Sequence, residues 1–373
     1  MVDGARDTET KAAETSDFRC PSCGGRMEFD AARGALLCEA CGATRAIGED
    51  DVERTIVEYD LERGLALSAE RGFGAAVRRV ACEQCGAVVN YAESETARRC
   101  DFCGSPQVVA REQNQQPIRP ESVLPFQIDR AAAATRFSSW LGGLWLRPSN
   151  LKKLASVSEM TGMYVPYWVF DASVHSDWTA LAGYYYYVEE TYTTTDDRGR
   201  SVQRRRRVQK VRWQPAWGSR DDIYDDLLVC GSRGLPPDLT HELEPFDTKV
   251  LRRYDPSFLA GWRAEEYNLD LNAAWKLGVD RMTETQRARC SGDVPGDTQQ
   301  ALRVVNRFAD EKFKHVLLPI WISVYRYKDK PYRFLVNGQT GEVSGHAPWS
   351  IFKIGLLCVV LAVLAYFILK TQR

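Results

Sequence analysis

The chain has 373 residues, with 49 Lys and Arg against 50 Asp and Glu and a net charge of −1. That balance gives no global reason to expect a polyanionic partner, so any such claim must rest on local charge. The length allows two or three domains, and 11 cysteines are enough to build metal sites.

Residues 1–17 are polar, contain no hydrophobic leader segment and are expected to be disordered. The strongest pattern follows. Cys20-x2-Cys23-x14-Cys38-x2-Cys41 is repeated as Cys82-x2-Cys85-x14-Cys100-x2-Cys103, each ligand recurring 62 residues later. A C-x2-C pair forms a tight knuckle whose amides point at the sulfurs, and two facing knuckles close a tetrahedral site suited to zinc. Gly24, Gly42, Gly86 and Gly104 follow the second cysteine of each knuckle, where the turn calls for positive φ. The intervening stretch, with Met27, Phe29, Leu36 and Leu37 in the first copy, is long enough for one short hairpin. The expected units are zinc ribbon 1 over 18–45 and zinc ribbon 2 over 80–110.

Four cysteines per site leave no open coordination position, so two structural Zn2+ ions are expected rather than catalytic ones. Neither ribbon can bury a core of its own, and metal binding, on the order of 10 kcal/mol, supplies most of its folding energy. Arg19, Arg26, Arg98 and Arg99 lie beside the thiolates and can offset the double negative charge of a zinc held by four of them, or contact nucleic acid. Between the ribbons, a helical connector is expected over 46–79. Its periodic stretch, 49–70, puts Val52, Ile56, Tyr59 and Leu65 near one face, and Gly72-Phe73-Gly74 ends it. A polar linker over 111–121 leads out of the zinc module.

Residues 122–347 read as one α+β domain, rich in antiparallel strands with a few helices. Helices are predicted over 130–146 and 151–158, strands over 164–170 and 178–188, a hairpin over 188–213 turning at 196–199, a helix over 268–289 and strands over 300–343. Pro166-Tyr167-Trp168 and Pro319-Ile320-Trp321 echo each other, which suggests a duplicated subdomain with each proline opening a strand. Arg204 to Arg207, with Lys210 and Arg212, is the dense basic cluster. Beside Tyr184 to Tyr187 it has the composition of a nucleic-acid or acidic-lipid surface, yet strand alternation splits it between two faces, as in a solvated hairpin. Asn337-Gly338-Gln339-Thr340-Gly341 is read as a tight hairpin turn. No P-loop, H-E-x-x-H or G-x-S-x-G segment occurs; His175, His241, His315 and His346 are scattered, and Cys230, Cys290 and Cys358 have no catalytic neighbourhood. An enzyme is not expected.

Ile354 to Leu369 runs sixteen residues without a charge, and Ile351 and Phe352 extend it across Lys353. As a helix, 351–369 is roughly 28 Å long, enough to span a bilayer core of about 30 Å if the flanking lysines snorkel. Arg333 and Lys353 on one flank balance Lys370 and Arg373 on the other, so charge does not set the orientation. Reduced thiolates place the soluble part in the cytoplasm, with the helix as a C-terminal anchor in the inner membrane.

The paired ribbons ending in Cys-Gly, Tyr59-Asp60-Leu61, the segment from Pro166 to Ala172, and Val336 to Gly341 before a C-terminal span together resemble bacterial zinc-ribbon membrane proteins. Such proteins are labelled, by their ribbons, as TFIIB-type or as relatives of the primosomal replication helicase. The helicase label fails on the missing ATPase motifs. The resemblance implies an adaptor setting beside phage-shock-type and stomatin/flotillin-like (SPFH) proteins, no catalytic residue, and the eight cysteines as metal ligands. A tethered nucleic-acid-binding protein is the alternative.

Overall fold

The computed structural model describes residues 18–47, 56–66, 78–91, 99–110, 118–148, 160–195, 199–328 and 330–371. The predicted disordered start, the 151–158 helix, the Gly72 to Gly74 stop, most of the linker and three of the four turn residues at 196–199 lie outside them. The fold is mixed α+β.

The first ribbon is a three-stranded antiparallel sheet, β1 (Met27–Asp30), β2 (Ala35–Cys38) and β3 (Thr44–Ala46), in that order. Met27 pairs with Cys38 and Asp30 with Ala35, so the hairpin hands the chain from one knuckle to the other. Strand alternation buries Met27, Phe29, Leu36 and Cys38, each apolar side chain contributing roughly 2 kcal/mol.

A short β4 (Tyr59–Asp60) and α1 (Leu61–Ala66) follow. Of the helix expected over 49–70 the structure describes 56–66, which is helical over Leu61–Ala66 but not before it. β4 is extended and pairs with a later strand, while Tyr59 donates from its hydroxyl to Glu121 (3.0 Å); tertiary pairing overrides the helical spacing.

The second ribbon comprises β5 (Arg78–Cys82), β6 (Val88–Tyr91) and β7 (Val108–Ala110). The chain continues through β8 (Ser122–Val123), α2 (Arg130–Gly143), β9 (Thr161–Thr195), β10 (Ser201–Cys230) and α3 (Pro237–Glu242). Then come β11 (Arg252–Arg253), β12 (Arg263–Glu266), α4 (Leu271–Asp293), β13 (Thr298–Tyr327), β14 (Lys330–Asn337), β15 (Val343–Gly345) and α5 (Ile351–Thr371). β4 to β15 form one twelve-stranded sheet with the path β11-β8-β13-β9-β12-β6-β5-β7; β10 adds to β9, β4 and β14 to β13, and β15 to β14. The second ribbon is therefore part of the large sheet, joined through the antiparallel β6 and β12 pair. The hairpin predicted over 188–213 is much longer, since β9 and β10 extend over 161–230.

The described residues divide into two compact units. Phe170–Leu227 and Trp275–Phe313 form the second unit and the remainder the first. In the second, alternate residues Ala172, Val174, Trp178 and Ala180 of β9 are buried with Met282 and Cys290 of α4. Gly218 is required there, because a Cβ would stand 2.6 Å from the Trp178 ring.

The first unit contains a repeated arrangement. β8 lies parallel to β13, Ser122 against Val316; β12 lies parallel to β9, Arg263 against Met163. After each short strand comes an aromatic, an amide, an aliphatic and an aspartate: Phe126-Gln127-Ile128-Asp129 and Tyr267-Asn268-Leu269-Asp270. Asp129 caps α2 by accepting from Ala132 N (2.7 Å), and Asp270 caps α4 by accepting from Ala273 N (2.9 Å). The two Pro-x-Trp segments belong to the same repeat. Trp168 Nε1 donates to the Leu269 carbonyl (2.9 Å) and Trp321 Nε1 to the Ile128 carbonyl (3.0 Å), each reaching into the other half. Gly231 N donates to Pro166 O and Gly338 N to Pro319 O, both at 2.8 Å. Neither proline opens its strand as expected; both sit inside long strands and use only their carbonyls. The two halves interlock, and Phe126, stacked on Trp262, meets Trp321 edge to face, as Trp262 and Trp321 meet each other.

Candidate metal centres

The eight cysteines gather into two groups of four. Within each group the sulfurs lie within 4.8 Å of one another. Four knuckles of one design hold them. The amide of each knuckle's first cysteine bonds to the carbonyl five residues on, as in Cys20 N to Gly25 O (2.7 Å) and Cys100 N to Ser105 O (2.8 Å). Its carbonyl accepts from the glycine four residues on: Gly24, Gly42, Gly86 and Gly104 at 2.8 to 2.9 Å. Those glycines have φ of +72°, +74°, +77° and +71°, the positive values expected from the sequence.

Cys20 and Cys41 are 3.5 Å apart, and the pairs Cys23 and Cys38, Cys82 and Cys103, and Cys85 and Cys100 are each 3.6 Å apart. A tetrahedral ion with metal–sulfur bonds of about 2.3 Å has edges near 3.8 Å, so these separations fit a closed four-thiolate shell. They are far too long for disulfides. As bare thiols the sulfurs oppose one another's ionisation. Cys100 is pushed well above the ordinary thiol range by its hydrogen bond with Cys85 and by burial, whereas Cys85 is drawn down to about 5, chiefly by the same bond. A divalent cation removes that conflict by taking all four as thiolates.

The surroundings of the two sites differ. In the first, Cys20 and Cys38 are buried but Cys23 and Cys41 are exposed. The ribbon is held through its hairpin, with Phe29 N donating to Ala260 O (2.9 Å) and Trp262 Nε1 to Phe29 O (2.8 Å). In the second, Cys82 and Cys100 are buried and Cys85 and Cys103 half-buried. Its knuckles are themselves fastened: Asn268 Nδ2 donates to Gly86 O (2.8 Å), and Asp101 accepts from Arg263 Nη1 (3.0 Å) and from the Tyr91 hydroxyl (2.8 Å).

Sequence reading placed Arg333 on the flank of the membrane span. The structure instead puts it in β14, partly buried and facing the second site. Burial lowers its pKa, and attraction to Cys85, Cys103, Cys100 and Glu265 opposes that shift. Glu265 is fully buried, its carboxyl held well above the usual range by desolvation, and accepts from Ser232 Oγ (2.6 Å). Of the arginines expected to offset thiolate charge, Arg26 lies 4.0 Å from Glu28, Arg99 is exposed and Arg98 lies outside the described residues.

Other sequence candidates have plain placements. Four members of the basic cluster are paired within its own hairpin: Arg205 with Glu189, Arg206 and Lys210 with Glu190, and Arg207 over the Tyr187 ring at 4.2 Å. Asn337 is buried, accepts from Gln339 N and Thr340 N, and donates to the Leu243 and Pro245 carbonyls, so the predicted turn is a core element. His315 is buried and held near pKa 4 by desolvation, with Nδ1 donating to the Ile118 carbonyl. Cys290 is buried, Cys230 half-buried and Cys358 exposed on α5. A carboxylate cluster that sequence reading missed, Asp171, Asp225 and Asp226, is gathered in part by the Asp226 amide donating to Asp171 Oδ1 (2.7 Å).

α5 is apolar on all sides; within Ile351–Lys370 an 18-residue window has a mean hydropathy of 2.6, and none of that window is buried. It is long enough to cross a bilayer.

No family model matches the chain, and no solved structure matches it. The chain is similar to the uncharacterized protein YdjG of Bacillus subtilis (strain 168), with 27% identity over 348 residues covering 90% of this chain and 91% of that protein.

Proposed function

We propose that the protein is a zinc-ribbon scaffold anchored by α5 in the cytoplasmic membrane, its soluble part in the cytoplasm, recruiting protein partners to the membrane. The observation that carries this reading is the closure of both cysteine sites. Four thiolates at tetrahedral spacing fill the shell of a zinc ion, leaving no place for a water or substrate. Zinc then serves to build a rigid surface, and the reading assigns the chain no catalytic step. Thiols that must stay reduced favour the cytoplasmic side.

A docking edge is available in the second unit. β10 pairs only with β9 among the described residues, and its outer face carries Trp217, 77% exposed, and Ile223, 81% exposed. A free strand edge with exposed large apolar side chains suits strand addition or protein contact. Phage-shock and SPFH-type proteins, which the sequence resemblance implies, are the first partners to test. Nucleic-acid binding is less favoured, because Glu189 and Glu190 already pair with the basic cluster.

A photo-crosslinking residue in place of Ile223, in the full chain in native membranes, is expected to yield discrete protein adducts. Absence of adducts, together with retention on DNA or RNA that falls steeply with salt, would replace this reading with the nucleic-acid one.

A further inference from the structure

The start of α5 is braced by the body of the first unit. Trp349, just before the helix, is 61% exposed, and Trp145, in the loop after α2, is 62% exposed. Three polar contacts join that loop to the stem. Lys353 Nζ donates to the Trp145 carbonyl (3.0 Å), Ser350 N donates to the Leu146 carbonyl (3.0 Å), and Arg147 donates to the Ala347 carbonyl. The Arg147 guanidinium also lies 3.5 Å over the Trp349 ring.

Strand register brings a third element to this end. β15 runs antiparallel to β14, with Gly345 against Phe334, so the chain leaving it travels toward the turn between β13 and β14. His346 N continues the pairing by donating to Arg333 O (2.9 Å), and the Tyr325 hydroxyl donates to His346 O (3.0 Å). The β13 and β14 turn, with exposed Lys328 and Lys330, therefore lies at the same end of the sheet as the start of α5.

Indoles half in and half out of an apolar phase, next to cations, are the side chains that settle at a membrane–water boundary. Lysines near an anionic leaflet add attraction. We infer that Trp145, Trp349, Arg147, Lys328 and Lys330 form a second membrane contact that seats the first unit on the headgroup layer of an anionic phospholipid bilayer. The unit is then held against the surface at a fixed orientation instead of hanging from a flexible stem. Lys353, tied to the Trp145 carbonyl, sits at headgroup level, and the uncharged run from Ile354 enters the hydrocarbon. This inference rests on α5 spanning the bilayer, and the two are separable in one experiment.

The full chain is reconstituted into vesicles of phosphatidylcholine, with or without phosphatidylglycerol, that include phosphatidylcholine brominated close to the headgroup end of the chains. Flotation reports insertion of α5; quenching of tryptophan fluorescence reports seating. Trp145→Phe is expected to lose part of the quenched signal, and Trp217→Phe to lose none. Lys328→Glu with Lys330→Glu is expected to reduce quenching in vesicles containing phosphatidylglycerol and to leave it unchanged in phosphatidylcholine alone. Chains that float but show the same quenching with and without Trp145 would overturn the seating while sparing the anchor. An unaltered signal for the double lysine variant in phosphatidylglycerol would overturn the preference for anionic lipid. Failure to float would overturn both the anchor and the seating.

Discussion

The two ribbons have the same knuckles, with the same amide-to-carbonyl bonds, the same conformation at their two knuckle glycines and the same sulfur spacing, yet they stand in different surroundings. The first is a separate three-stranded sheet with two exposed ligands, attached through the backbone of Phe29 and through apolar side chains, Met27, Phe29 and Leu36, that pack into the core of the first unit. The second contributes β5, β6 and β7 to the large sheet, has no fully exposed ligand, and is fastened at both knuckles by Asn268 and Arg263. Local sequence thus sets the shape of a ribbon, while its weight in the stability of the fold comes from what is built onto it. Metal at the second site should be coupled to the whole first unit; metal at the first should be coupled mainly to its own hairpin.

The largest test of that contrast removes a ligand. Cys100→Ser is expected to release one metal ion and to unfold the sheet around it, on the scale of a structural zinc site, about 10 kcal/mol of binding energy. Cys23→Ser should also lose one metal ion, yet keep the thermal transition of the large sheet close to that of the unaltered chain. Metal content and circular dichroism melts of both variants measure the difference, and equal losses in the two would break it. Next comes Arg333→Ala, which takes a cation away from Cys85, Cys100 and Cys103. Outer-shell partners of this kind change metal affinity by roughly 10 to 100-fold; competition with a chromogenic chelator should show the second site weakened and the first untouched, with Arg333→Lys restoring part of the affinity.

Asp101→Asn weakens the partly buried tie to Arg263 and should cost about 1 to 3 kcal/mol in chemical denaturation. In the first ribbon, Arg26→Ala breaks an exposed 4.0 Å contact with Glu28 and is expected to change stability by less than about 0.5 kcal/mol. A larger effect for Arg26 than for Asp101 would reverse the ranking of the two ribbons.

The metal sites were legible in the sequence because everything they need is local. Cysteine spacing fixes the knuckles, and glycine after each pair reports the positive φ that the turn imposes. The apolar run of α5 was legible for the same reason. Arg333 was not, since it approaches Cys85, Cys100 and Cys103 through a sheet pairing that no short-range pattern encodes. The length of β9 and β10 was hidden because much of both strands is polar and exposed, and burial alternation fades there. The repeat in the first unit was half visible. Pro-x-Trp marked it, but the matching segments at Phe126 and Tyr267 are identical only at the aspartate that caps a helix and alike by residue class at the other three positions, and the bonds of Trp168 and Trp321 cross from one half to the other. The buried role of Asn337 escaped notice because a tight turn reads as surface until its side-chain bonds to Leu243 and Pro245 are seen.

The most direct measurement of the account is time-resolved zinc release from the full chain under an excess of chelator. The expected result is two zinc ions per chain at the start, one leaving fast with the large sheet intact by circular dichroism, and the second leaving slowly as the sheet unfolds. Fewer than two ions at the outset would contradict the paired sites, and a single phase that removes both ions together would contradict the division of roles between the two ribbons.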